Sequence, residues 1–175
     1  MKPLITIWMI MLTGGYFNDP IIPVDKESKV TFTIKNFGFN TDGSFQGLQG
    51  KIHFDPQQLT SSYFDVSIDA TTIDTDITSR DNHLKKEEYL HVQKYPRIHF
   101  KSFKINQQEN RYMVHGNITI KGVTRQVSFP FTVQKTGAGY WFRGEFKINR
   151  REFGVGKASA VLGDMVTVQL KVLAK

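Results

Sequence analysis

The chain of 175 residues contains no cysteine, which excludes disulfides, thiolate metal sites, a cysteine nucleophile and a lipid-bearing cysteine anchor. Such a domain must be held by its core alone, and this length is sufficient for a sizeable one. A basic block is lacking as well. The 23 Lys and Arg exceed the 16 Asp and Glu, for a formal charge of +7, but they are scattered along the polar positions. Electrostatic footprints on nucleic acid are concentrated, so no nucleic acid is expected as a partner. There is no Gly-x-Ser-x-Gly elbow, and Gly154-Val155-Gly156-Lys157 lacks the remaining glycine of a phosphate loop and reads as a flexible hairpin. Five histidines are present, but His53, His99 and His115 fall on the polar side of their runs. His83 and His91 lack the carboxylate spacing of a zinc site, so no metal is expected. No catalytic group emerges, and the chain is not expected to be an enzyme.

Long apolar runs are missing beyond the first dozen residues. Met1, Lys2 and Pro3 make a short basic start, Leu4 to Leu12 is apolar apart from Thr6, and Thr13, Gly14 and Gly15 are small. This is the pattern of a secretory signal, too short to span a bilayer. The expectation is a signal peptide over residues 1–15, a single domain over 16–175 starting at Tyr16, and a periplasmic or secreted location.

What is abundant is alternation. Val30, Phe32 and Ile34 interleave with Thr31, Thr33 and Lys35, and Phe64, Val66, Ile68 and Ala70 repeat the rhythm. Side chains in a strand point alternately to opposite faces, so each run has one apolar and one polar side. Strands are predicted over 28–37, 43–54 and 62–73, then from about Ile98, over 111–121, through Val127 to Val133, over 140–150 and over 164–173. Gly47 and Gly50 predict a bulge in the second. Pro130 predicts an edge or a bulge, because it has no N–H to donate. Between the third and fourth strands the period changes, and residues 79–90 are predicted to form a short helix capped by Thr78 or Ser79, with Asp81 in its first turn. Eight antiparallel strands make a two-sheet sandwich or a barrel. Fourteen phenylalanines favour a roomy barrel interior, with a dry packed core as the alternative.

Ile73-Asp74-Thr75, Ser79-Arg80-Asp81-Asn82-His83-Leu84-Lys85 and Tyr95-Pro96-Arg97-Ile98-His99-Phe100-Lys101-Ser102 resemble blocks of the YceI-like family of bacterial exported proteins. So do Gly116 to Thr124, Asn149-Arg150-Arg151-Glu152-Phe153-Gly154 and Gly163 to Val166, in the right order from Val24 to Leu173. The resemblance implies an all-β, eight-stranded, lipocalin-like antiparallel barrel with a short helix at one end. It also implies an elongated cavity for a polyisoprenoid, a quinone-type isoprenoid or a fatty-acid-like lipid. Members often carry His near the end of the first long strand, where this chain has Asn36.

The expected function is non-catalytic binding, with sequestration or transport of such a lipid in the periplasm. No cofactor is required beyond the bound polyisoprenoid or quinone-type lipid. Inward parity assigns the lining to Phe32, Ile34, Phe54, Val66, Ile68, Ile98, Phe100, Val114, Ile118, Phe129, Phe131, Phe146, Ile148, Val168 and Leu170. Arg80, Asp81 and His83 form a polar group near the barrel mouth. There Arg80 is expected to pair with Asp81 and pin the helix, with contact to an anionic headgroup as the alternative. A transient contact with a membrane surface and a monomeric or homodimeric state complete the expectation. The competing classes are a quinone-dependent redox accessory and a stress-response interaction module with a filled core.

Overall fold

Alternation along every strand leaves each with one apolar face, and closing the sheet on itself buries all of these faces at once without leaving an edge. A computed structural model describes residues 19–175, so the predicted signal peptide and the start at Tyr16 lie outside the described residues. The strands are β1 (Lys29–Asn36), β2 (Phe39–His53), β3 (Tyr63–Asp74), β4 (Arg97–Gln108), β5 (Arg111–Ile120), β6 (Val123–Thr136), β7 (Gly139–Asn149) and β8 (Leu162–Ala174). Each pairs antiparallel with its neighbour in sequence, and β1 pairs with β8 to close the barrel. The sandwich alternative is therefore excluded.

The two ends differ. At one, the chain before β1 crosses the barrel, with Ile21 bridging to Ile52 and Pro23 to Ala174. Asp25, in a 3-10 turn over Asp25–Glu27, accepts the Leu48 N–H at 2.7 Å and pins this strap. Beneath it, Phe54, Phe64, Phe131 and Phe142 meet largely edge to face, with centroids 5.2–6.4 Å apart. Such tilted contacts are the favoured geometry of aromatic rings, and they make this end a solid plug. At the other end lie the β1–β2 turn, the segment after β3 and the loop between β7 and β8.

Irregularities fall where the sequence placed glycine and proline. The β2–β3 register shifts between Ser44 and Gln49, around Gly47 at φ +71°. Arg97 locks that bulge by donating to the Gly47 carbonyl at 2.7 Å and to Ser67 Oγ at 2.8 Å. Pro130 lies within a closed sheet, yet the β6–β7 ladder runs only from Phe131↔Gly144 to Thr136↔Gly139. Beyond it β6 and β7 part company, and Pro130 stands at the fork, a local edge where a missing donor costs little. The stacked rings of Phe129 and Phe146, 4.5 Å apart, fill the seam in place of backbone bonds.

The helix differs from expectation. It spans only Thr78–Leu84, its N-cap position is Ile77, and neither Thr78 nor Ser79 caps it. Leu84 and Leu90 both pack into the apolar wall. Six steps of continuous helix would point them about 120° apart, so the chain leaves the helix after Leu84 to face both inward.

Candidate functional site

Between the aromatic plug and the open end lies a cavity of about 250 Å³ with almost wholly apolar walls. Along β1 its lining runs from Val30 through Phe32 and Ile34 to Asn36, six residue steps or roughly 20 Å of extended strand. The space is therefore a tunnel along the barrel. Three glycines help to shape its interior. The Phe32 ring lies over Gly43, the Phe100 ring over Gly116 and the Phe129 ring over Gly144, places where a Cβ would meet the ring. Each ring thus lies down on its cross-strand glycine and leaves the middle of the barrel free.

Most of the inward-parity residues line this space: Phe32, Ile34, Val66, Ile68, Ile98, Phe100, Ile118, Phe129, Phe146, Ile148, Val168 and Leu170. Phe54, Val114 and Phe131 do not. They are buried in the cluster at the plugged end, with Val114 fully inaccessible, and belong to the packed core. Parity assigns a side of the wall but not a height along the barrel, so it does not separate these three from the others.

The polar residues on the cavity are Asn36, Thr41, Thr75, Arg80, Tyr89 and Arg150, together with Thr31, Ser67 and His99 of the strand walls. Arg80 forms no ion pair with Asp81, contrary to expectation. Both side chains instead hold Thr75, a buried residue at the end of β3. Arg80 Nε donates to Thr75 Oγ1 at 2.7 Å and Nη2 donates to the Thr75 carbonyl. Asp81 accepts the Thr75 N–H at 2.9 Å and its hydroxyl. Thr75 leaves the two charges no need of each other. Arg80 Nη1 makes no hydrogen bond among the described residues, while the side chain lines the cavity. His83 is exposed, 4.9 Å from the Tyr89 ring centroid, and does not reach the cavity.

Arg150 is the residue that sequence reasoning passed over. It is buried at 4 % exposure, and its guanidinium donates to the carbonyls of Gly163, Val155, Lys157 and Leu162 and to Asp164 Oδ1, at 2.8–3.3 Å. The segment from Gly154 to Lys157, read as a flexible hairpin, is instead wrapped around this side chain and tied to Glu88 through the Gly156 N–H at 2.8 Å. Phe153 and Val155 are thereby set into the cavity wall. The signal available in the sequence was an arginine beside a glycine-rich loop, whose free carbonyls need donors.

Among the described residues no three His, Asp or Glu side chains converge as metal ligands. His53 stacks on Tyr63, His99 is exposed, and His115 hydrogen-bonds Ser128 and Asn106.

Comparison with known proteins agrees with this architecture. The family model described as the YceI-like domain matches residues 23–174. The UPF0312 protein YE1254 of Yersinia enterocolitica is 30% identical, over 83% of this chain and 79% of its own length. Protein YceI of Salmonella arizonae is 27% identical, over 94% and 93%. Among solved structures, BcnA of Burkholderia cenocepacia superposes with a TM-score of 0.83 at 26% identity, covering 87% of this chain and 99% of its own. A polyisoprenoid binding domain from Saccharophagus degradans gives 0.73 at 13% identity, covering 90% and 99%, which is a likeness of fold.

Proposed function

Because the chain belongs to the YceI-like domain family, we propose that its tunnel binds the apolar chain of an isoprenoid or similar long amphiphilic lipid, without turning it over. The observation that carries this reading is a cavity walled by aliphatic and phenylalanine side chains and kept open by rings lying over glycines. Transfer of apolar chain from water to such a wall contributes roughly 0.8 kcal/mol per buried methylene, so affinity needs no catalytic or cofactor group. The polyisoprenoid binding described for the Saccharophagus degradans domain supports the same ligand class. The reading extends to a periplasmic or secreted protein that sequesters or carries its lipid. One experiment tests both parts. Protein purified from its native host should begin near Tyr16 by intact mass, and its organic-solvent extract should contain a stoichiometric isoprenoid-type lipid. An extract free of lipid would remove the binding reading, and retention of residues 1–15 would remove the export reading.

Arg80 is best understood as an anchor of the segment after β3, since two of its three nitrogens are engaged with Thr75. Arg80→Ala is expected to lower thermal stability by about 1–3 kcal/mol, the worth of hydrogen bonds from a charged donor. Affinity for a polyprenyl phosphate and for the matching polyprenol should fall by a similar small factor. An anion-selective loss of tenfold or more would instead make Nη1 a headgroup contact.

A further inference from the structure

The rim around the open end carries exposed apolar side chains that the fold does not use. The exposed large hydrophobic residues among those described include Phe37 at 68%, Phe39 at 77%, Ile77 at 47%, Val161 at 41% and Met165 at 51%. All five belong to the contiguous arc formed by the ends of β8, β1, β2 and β3. The Phe37 N–H donates to the Val161 carbonyl at 2.8 Å, so the two halves of the arc are joined. Immediately behind it, Asn36, Thr41, Thr75 and Leu162 line the tunnel.

Phe37 is the first residue of a two-residue turn, Phe37-Gly38, with φ of +49° and +80°, and Phe39 follows it at the start of β2. Such a turn favours Asn-Gly, and a bulky side chain at its first position is strained by the left-handed backbone. No packing compensates Phe37, because the side chain points into solvent. The β1–β2 hairpin also stands proud of β3. The β2–β3 pairing ends at Ser44↔Asp74, so residues 39–43 continue past it, roughly 15 Å of strand. A projecting tip that carries two phenylalanines has no groove to receive a folded partner. It suits a soft apolar medium.

The geometry points to this rim as a docking surface for a lipid bilayer, into which Phe37, Phe39 and Val161 insert so that the tunnel mouth opens onto the membrane. The inference rests on the lipid-binding reading above and adds the route by which the lipid enters. Charge selects the angle of approach. Exposed Lys35 and Lys157, neither in an ion pair, flank the Phe37–Val161 side, whereas Asp42, Asp74 and Asp76 line one shallow pocket on the β2–β3 side. Anionic headgroups attract the first side and repel the second, so the barrel leans onto its β8–β1 edge.

The test uses vesicles of phosphatidylcholine with phosphatidylglycerol and the double variant Phe37→Ser/Phe39→Ser, with Phe103→Ser, an exposed phenylalanine of β4 away from the rim, as control. In flotation the double variant should lose at least tenfold in vesicle partitioning and Phe103→Ser less than twofold. Calorimetric titration with farnesol should give equal affinity for all three proteins. Equal partitioning of the double variant and the wild type would overturn the docking surface, as would an equal loss in the control. So would a wild-type dimer that the double variant splits without change in partitioning, since the patch would then face a second copy of the chain. Failure of farnesol to bind even the wild type would strike the lipid-binding reading separately, while partitioning would still judge the rim.

Discussion

Arg150→Ala should destabilise the protein by about 3–5 kcal/mol, because it takes the donor from several backbone carbonyls at once and each one left unsatisfied costs about 1–3 kcal/mol. The side chain is nearly inaccessible and supplies donors to four backbone carbonyls as well as to Asp164. Its removal leaves Asp164 with only the 3.4 Å contact to exposed Arg151, and leaves four carbonyls without their donor. For a domain of this size the melting temperature should fall by on the order of 10 °C. Arg150→Lys should recover only part of this, because a single ammonium cannot span acceptors arranged around a planar fork. Thermal unfolding of the two variants decides the matter. A loss under about 1 kcal/mol for Arg150→Ala would mean that water replaces the guanidinium at the loop carbonyls, and that Phe153 and Val155 hold the wall unaided.

Phe100→Asp should abolish lipid retention. Its ring lies over Gly116, 5.5 Å from the Phe129 centroid, in the middle of the tunnel wall. A carboxylate there has no partner and makes the site costly to desolvate. Lys101→Glu is one residue away on the outer face, where Lys101 pairs with Asp65 at 3.0 Å and is 73% exposed. An exposed pair contributes at most about 1 kcal/mol, so this variant should keep its lipid while losing a little stability. Ile68→Trp reaches the same loss of binding by filling the space, with no charge introduced. Retained lipid, measured by mass spectrometry of solvent extracts, should be absent from Phe100→Asp and Ile68→Trp and normal in Lys101→Glu. Equal retention in all three would place the ligand outside the tunnel.

Strand identity and inward faces were legible because a strand of a closed barrel sees only two environments, and a period of two reports them directly. The middles of β1 and β8 follow that rule, and Phe32, Ile34, Val168 and Leu170 line the tunnel as parity requires, whereas Val172, Leu173 and Ala174 at the end of β8 are all buried. Legibility failed where a contact joins residues distant in sequence. The helix ends at Leu84 because Leu90 must face the same wall, a constraint that helix propensity does not carry. Arg80 and Asp81 looked like mutual partners from their adjacency, yet both are claimed by Thr75. Phe54, Val114 and Phe131 share the parity of the lining, and only the aromatic stack under the strap reveals that this end is solid. Arg150 was the largest omission. A charged residue is assumed to face water until four carbonyls are found around it.

Ile22 and Lys175 exchange backbone hydrogen bonds at 2.8 and 3.0 Å, beside the aromatic plug and at the pole opposite the phenylalanine rim. The barrel therefore has a handle. A reporter protein or a surface linker grafted to Lys175 holds it by its base, and leaves the mouth and its projecting hairpin turned outward and unobstructed.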